Sequence, residues 1–241
     1  MNKTYVNWSS GKDAALAYYL LKQNPKYQVS KLLTTVNKDL QRISMHGLQE
    51  ALLDAQAESM GISLQKIYLP QQTSMQVYNT KMLEATKALR LENFSHAAFG
   101  DIFLEDLKKY REEQLKNVSL KAVFPLWKQD TSVVMRQFLK LGFKAITVCV
   151  NAKVLDKSFV GREVNETFLN DLPKTVDPCG ENGEFHTFVY DGPIFKHPIP
   201  FKIGEKVLKS YSPSKNDDDD CFTNDTKSWD TEFWYCDLLP K

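Results

Sequence analysis

Two short runs concentrate the side chains that could do chemistry. The first is Val6-Asn7-Trp8-Ser9-Ser10-Gly11-Lys12-Asp13-Ala14. Apolar residues lead into small polar ones, then a glycine, a lysine and an aspartate. A helix-forming stretch follows at once, from Ala14 to Leu21. Strand, small-residue turn and helix form the geometry that sets backbone N–H groups and a helix N-terminus against a phosphate. Lys12 adds positive charge, and Ser9 and Ser10 add hydroxyl donors. Asp13 would repel a bare phosphate, so it calls for a magnesium ion or a capping role. The run fits neither G-x-x-x-x-G-K-[ST] nor G-x-G-x-x-G. An ordinary turn with a serine N-cap is the plain alternative.

The second run is Asp177-Pro178-Cys179-Gly180-Glu181-Asn182-Gly183-Glu184-Phe185-His186-Thr187. Glu181, Glu184 and His186 put two carboxylates and an imidazole within six residues. A strand over Phe185–Tyr190 would point Glu184 and His186 to one face. Such a group could bind magnesium, move a proton or grip an amine. The alternative is a turn with solvated acids. Cys179 could be a nucleophile with His186 as its base, or a packed structural thiol. No second cysteine is spaced to resolve a persulfide.

The elements that would position these runs follow from periodicity. Strands are predicted over Tyr5–Trp8, Val29–Val36, Leu64–Leu69, Ala97–Phe99, Ala122–Phe124 and Ala145–Val150. Helices are predicted over Gly47–Met60, Ser74–Leu91, Leu104–Asn117 and Thr131–Leu141, the last with Asp130 as N-cap. The alternation implies βαβ units and a mainly parallel sheet, with ligands outside the carboxyl ends of the strands. Both the Ser9–Asp13 turn and Gly100-Asp101 sit at such ends. Beyond residue 150 the texture changes. A short helix over Glu163–Leu172, a loop rich in proline and glycine, and strands over Phe185–Tyr190 and Glu232–Leu239 suggest a smaller β-rich part. Pro198, Pro200 and Gly204 predict irregular or edge-like chain after them. The expected division is 1–150 and 151–241.

Bulk properties narrow the class. The chain has 241 residues, is 42% hydrophobic and 25% charged, and carries a net charge of +1. No global field points to nucleic acid or to a membrane surface. No run approaches the roughly 20 apolar residues of a membrane span, and no secretory signal is recognisable. Four widely spaced cysteines, Cys149, Cys179, Cys221 and Cys236, argue against a disulfide framework and for a cytoplasmic chain. His46 reads as a cap or surface residue, Asp217–Asp220 as a solvated acidic loop, and Trp127 and Trp234 as packing residues.

Ser9-Ser10-Gly11-Lys12-Asp13-Ala14 resembles the PP-loop, typically S-G-G-K-D-S, of the ATP pyrophosphatases in the adenine nucleotide alpha hydrolase superfamily. Glu181-Asn182-Gly183-Glu184-Phe185-His186-Thr187 resembles the E-x-G-E-F-H-T signature of the diphthine–ammonia ligase family. His46-Gly47, Phe99-Gly100-Asp101-Ile102, Phe124-Pro125-Leu126-Trp127, Asp130-Thr131 and Gly142-Phe143-Lys144-Ala145 fit as well. The resemblance runs from Trp8 to Phe195 and is nearest to the bacterial branch. Ser10 stands where the PP-loop has its first glycine, a place a serine tolerates if φ stays negative. Ala14 replaces the final serine and removes one hydroxyl.

The resemblance implies a Rossmann-like α/β fold and ATP-dependent amide formation. A substrate carboxylate is adenylated with release of pyrophosphate, then ammonia displaces AMP. In archaeal and eukaryotic relatives the carboxylate belongs to diphthine on elongation factor 2; a bacterial member leaves the acceptor open. ATP and Mg2+ are the implied cofactors. Ser9, Ser10, Gly11, Lys12, Asp13, Gly100 and Asp101 would bind nucleotide, with Asp13 and Asp101 on the metal. Glu181, Asn182, Gly183, Glu184 and Thr187 would face the acceptor, and Lys12, Glu184 and His186 would be catalytic. A homodimer stays open. Two other readings remain: a PP-loop enzyme that thiolates tRNA or a small molecule, and a non-catalytic ATP-binding regulator.

Overall fold

A computed structural model describes residues 1–43, 47–211 and 231–241. His46 and Asp217–Asp220 lie outside them. Strand β1 (Asn2–Asn7) is the centre of the first sheet. Its Thr4, Tyr5 and Val6 are buried, as a strand covered on both faces requires. Helix α1 (Lys12–Gln23), β2 (Tyr27–Asn37), the short β3 (Arg42–Ile43), α2 (Glu50–Met60) and β4 (Ser63–Leu69) come next. They are followed by α3 (Met75–Leu91), β5 (His96–Ala98), α4 (Glu105–Lys116), β6 (Lys121–Val123) and α5 (Thr131–Lys140).

Strands β4, β2, β1, β5 and β6 lie side by side and parallel. β3 folds back antiparallel onto the end of β2. The chain first builds outward from β1 through β2 and β4. It then crosses to the other side for β5 and β6. The order therefore reverses between β1 and β5, which opens a crevice at their carboxyl ends. Apolar layers cover both faces. Leu16 and Leu21 of α1 and Leu52 and Leu53 of α2 pack with Val6 and Leu32 on one side. Leu89 of α3 and Leu115 of α4 pack with Tyr5, Leu33 and Phe94 on the other.

A second sheet is built from β7 (Lys144–Asn151), β8 (Phe185–Asp191), β9 (Phe201–Tyr211) and β10 (Thr231–Pro240), with α6 (Glu166–Asp171) between β7 and β8. Its order is β8-β7-β10-β9, antiparallel throughout. The strand expected over Ala145–Val150 thus exists, but it belongs to this sheet and not to the parallel one. Residues 145 to 150 are all buried, so periodicity could not say which sheet would cover them. The chain after Pro198 and Pro200 is the edge strand β9, with Gly204 inside it.

The two sheets meet at the Ser9–Asp13 turn. The Val189 N–H of β8 donates to the Ser10 carbonyl at 3.0 Å. The Lys12 N–H donates to Thr187 Oγ1 at 3.1 Å. Gln56, fully buried on α2, donates through Nε2 to Ser10 O at 3.2 Å and to Val189 O at 2.6 Å. Its Oε1 accepts from Trp8 Nε1 at 2.9 Å. At the far rim Arg42 reaches Asp237 of β10 at 2.8 Å. One apolar core runs from Val6 and Leu52 to Phe185 and Phe188 without a break between the sheets.

Ser10 departs from the sequence-based expectation: its φ is +68°, in the left-handed region where a side chain costs roughly 1–2 kcal/mol. This explains the glycine in the usual motif. Ser10 is fully buried, and its hydroxyl donates to the Ser9 carbonyl. Urea unfolding should find Ser10→Gly as stable as the unmodified chain or more so, because the backbone penalty disappears. Ser10→Val should lose at least about 2 kcal/mol, since a β-branched residue fits this region worst. Equal stability of the two variants would mean the turn relaxes to negative φ.

Candidate functional site

The crevice between β1 and β5 holds a cavity of about 340 Å³, within the size range of small-molecule sites. Ser9, Asp13, Gly100, Asp101, Glu181 and His186 line it together. The Ser9–Asp13 turn and the Glu181–Thr187 segment are therefore walls of one site. Asn7, Thr34 and Thr35 contribute polar groups from the ends of β1 and β2, and Tyr78, Met82 and Arg111 come from α3 and α4. Helix α1 opens beside the cavity with Gly11 as N-cap and no capping side chain. The serine-capped turn is thus absent; Thr187 Oγ1 takes the Lys12 N–H, and Asp13 and Ala14 of the first turn line the cavity, where the positive end of the helix favours an anion. Gly100 makes the close approach possible. A Cβ there would stand 2.8 Å from the Asp13 carbonyl carbon and 2.9 Å from the Ala14 nitrogen.

Two buried carboxylate oxygens at this point have no partner: Asp13 Oδ1 and Asp101 Oδ2. Their other oxygens are engaged. Asp13 Oδ2 pairs with Lys12 Nζ at 2.8 Å, and Asp101 Oδ1 with Arg111 Nη2 at 3.1 Å. Orphaned carboxylate oxygens on two residues that line one cavity suit a magnesium ion, which takes few protein ligands and completes its shell with water and phosphate. Among the described residues no cluster of three or more His, Cys, Asp and Glu side chains forms a closed metal cage. Two carboxylates sharing an ion with a nucleotide fit that result.

The acidic turn divides its labour. Glu184 is buried and does not line the cavity. Its Oε1 accepts from the Asp177 N–H and from Asn182 Nδ2, both at 3.0 Å, and its Oε2 from the Asn182 N–H at 2.9 Å. It therefore clamps the turn. Asp177 assists by accepting from the Cys179 N–H at 2.8 Å and from Thr131 Oγ1 at 2.7 Å. Glu181 faces the cavity and accepts from the Ile102 N–H at 3.3 Å. Glu184 precedes β8 by one residue, so strand alternation does not govern it, and only His186 of that pair reaches the cavity. Thr187 is buried in the joint, and Asn182 is exposed.

Burial sets the protonation of these groups. Burial works against the Lys12 ammonium, but Asp13, Cys179 and Glu181 outweigh it and hold its pKa above the ordinary lysine value. The ammonium also bonds the Cys179 carbonyl and lies 5.3 Å from the centre of the Phe185 ring. Burial raises Asp101 against the pull of Arg111. It raises Glu181 as well, with Asp13 adding to the effect. His186 is pushed down to about 4 by burial and then by Lys12, so its imidazole is neutral at pH 7. Cys179 is raised by burial, and its thiol donates to the Thr131 carbonyl at 3.3 Å. A thiol so held is a poor nucleophile.

Comparison with known proteins matches this architecture. The diphthamide synthase N-terminal domain matches residues 2–122, and the C-terminal domain of the same synthase matches residues 130–213. This chain belongs to the diphthamide synthase family. A Rattus norvegicus protein named diphthine–ammonia ligase is 32% identical over 113 residues, covering 44% of this chain and 42% of that protein. The Homo sapiens protein of that name is 31% identical over 113 residues, with the same coverage. The Schizosaccharomyces pombe protein is 31% identical over 114 residues, 18% of its length. The match thus spans less than half of each relative.

Within this member of the diphthamide synthase family, the wall formed by Tyr78, Met82 and Arg111 carries no motif in the sequence. Asn7, Thr34 and Thr35 did carry a signal, as polar residues closing apolar strands at the ligand end of a parallel sheet. Among the described residues no helix is long and apolar enough to cross a membrane.

Gln56→Leu should cost about 2–4 kcal/mol in urea unfolding, because it strands the buried Trp8 N–H and removes the amide's bonds to the Val189 and Ser10 carbonyls, leaving Ser10 only the Val189 N–H. A loss under about 0.5 kcal/mol would mean the joint does not depend on this amide. The His186 shift carries its own sign. The unfolded imidazole takes up a proton near pH 6.5 and the folded one near 4, so stability is full above pH 6.5 and falls as pH drops toward 4. His186→Gln should flatten that part of the stability–pH curve. An unchanged slope would mean that His186 is already charged in the fold.

Proposed function

We propose that this chain is an ATP-dependent, AMP-forming ligase that activates a carboxylate and transfers it to ammonia. The observation that carries the reading is the convergence of Ser9 and Asp13, Gly100-Asp101, and Glu181 and His186 on one cavity. The relatives' name, diphthine–ammonia ligase, brings ammonia and diphthine to this chain as the proposed substrates. The buried, hydrogen-bonded thiol of Cys179 speaks against thiolation.

Phosphates of ATP would meet the N-terminus of α1, Gly11 and the Ser9 hydroxyl. Lys12 fixes Asp13 through one oxygen and leaves the other, Oδ1, for a cation. Asp13 and Asp101 would hold magnesium, which supplies charge stabilisation to the departing pyrophosphate. Attack of the acceptor carboxylate on the α-phosphorus forms an acyl-adenylate and releases pyrophosphate. Ammonia then attacks the acyl carbon and AMP leaves. Glu181, at the cavity wall and pushed up to about 8 by burial and Asp13, would orient the incoming ammonia by hydrogen bonding. His186, neutral and at the same wall, would take the proton that the nitrogen loses on attack. Glu184 acts through the turn it clamps, so its role here is positioning.

With Mg·ATP, ammonium and a diphthine-bearing elongation factor, the products should be AMP and pyrophosphate in equal amounts. ADP and phosphate would contradict adenylation. Asp101→Asn should raise the magnesium concentration needed for half-maximal ATP binding by at least about tenfold. An unchanged magnesium requirement would remove Asp101 from the metal site.

A further inference from the structure

The cavity carries a charge imbalance that a nucleotide and its metal do not resolve. Asp13, Asp101 and Glu181 line it, and the one cationic side chain among its described lining residues is Arg111. Lys12 does not line it, because its ammonium is spent on Asp13 and the Cys179 carbonyl. Arg111 projects from α4. Its guanidinium carbon lies 4.3 Å from the centre of the Phe99 ring, and Nη2 donates to Asp101 Oδ1 at 3.1 Å. Its Nε–H is buried and has no partner. A stacked, ion-paired guanidinium is held in one orientation. A buried donor left unmet is costly, more so on a charged group. Such a cost is offset when a ligand supplies the acceptor.

We propose that Arg111 receives the carboxylate of the acceptor substrate and holds it beside the Asp13–Asp101 pair for adenylation. The inference rests on the ligase reading above. Position separates this role from phosphate binding. The phosphate-side groups are on the β1–α1 turn, and Gly100 abuts that turn. Arg111 instead meets Phe99 and Asp101 from the α4 wall, alongside Tyr78 and Met82 of α3. A phenol and a flexible thioether suit the less polar body of an organic acid. Charge makes the cation necessary. A second carboxylate brought beside Asp13 and Asp101 is repelled unless a cation lies between them, and Arg111 already pairs with Asp101 there. Arginine offers a carboxylate paired donors that a lysine does not.

The test uses the full chain with Mg2+ and a non-hydrolysable ATP analogue, and reads two affinities. Nucleotide binding is measured by calorimetry. Binding of butyrate, with the uncharged butyramide as control, is measured by ligand-observed NMR. The unmodified chain should bind butyrate in preference to butyramide. Arg111→Met should weaken butyrate by at least about tenfold while changing nucleotide affinity by less than about twofold. Arg111→Lys, which keeps the charge opposite Asp101, should fall between the two and guards against a folding defect in the methionine variant. Unchanged butyrate affinity in both variants would overturn the proposal. So would equal binding of butyrate and butyramide, or a loss of nucleotide affinity that matches or exceeds the loss of butyrate. A wild-type chain that binds no nucleotide would instead sink the ligase reading, and the acceptor role with it.

Discussion

The Ser10 carbonyl is the point on which the molecule turns. It accepts from the Val189 N–H of the second sheet and from the Gln56 amide of α2, which packs on the first. The left-handed conformation of Ser10 belongs to the same turn. Each of these bonds contributes a net 0.5–1.5 kcal/mol or so, against a total stability of about 5–15 kcal/mol for a native protein. The joint is therefore a sizeable share of what holds the sheets together. It also does what apolar packing alone cannot. Packing is non-directional, whereas these bonds set β8 in register with the turn. That register carries Glu181 and His186 to the mouth of the β1–β5 crevice.

Electrostatics then decides what the crevice can hold. Its carboxylates are stabilised from behind: Lys12 behind Asp13, Arg111 behind Asp101, the Ile102 N–H behind Glu181. Each supporter takes one oxygen and leaves the rest of the carboxylate toward the cavity or without a partner. A site so arranged keeps Asp13 paired with Lys12 and Asp101 with Arg111, while burial and Asp13 push Glu181 up to about 8; it still has room for a cation, whether a metal ion on a nucleotide or the guanidinium at its edge. The raised Glu181 and Asp101 and the lowered His186 follow from the same burial. Perturbed titrations of this kind gather where chemistry is done.

Much of this was legible in the chain itself. The turn from Ser9 to Asp13 reads directly, because strand, small residues and helix leave little else for the backbone to do. The helices over 74–91, 104–117 and 131–141 read well, since their apolar stripes have the helical period and the N-cap expected at Asp130 forms, accepting from the Val133 N–H. The sheet assignment of β7 did not read, because a strand buried on every side has no alternation to interpret. The split between Glu181 and Glu184 did not read either. Both are acids in a glycine-bearing turn, and which one faces the cavity depends on the left-handed bends at Gly180 and Gly183. Arg111 and Tyr78 lie far along the chain from either motif, and helix packing alone brings them to the site. Ser10 was misread because the buried hydrogen bonds that hold its positive φ come from residues 46 and 179 positions away.

The ligase reading rests on one cavity, walled by the Ser9–Asp13 turn on one side and the Glu181–Thr187 segment on the other, as the seat of the nucleotide. A crystal structure of the chain with Mg2+ and a non-hydrolysable ATP analogue tests it most directly. The expected result is the triphosphate at the N-terminus of α1, a metal ion held by Asp13 and Asp101, and the α-phosphate on the side of Glu181 and His186. A nucleotide seated elsewhere, or one that binds only after Val189 has parted from Ser10, would contradict it.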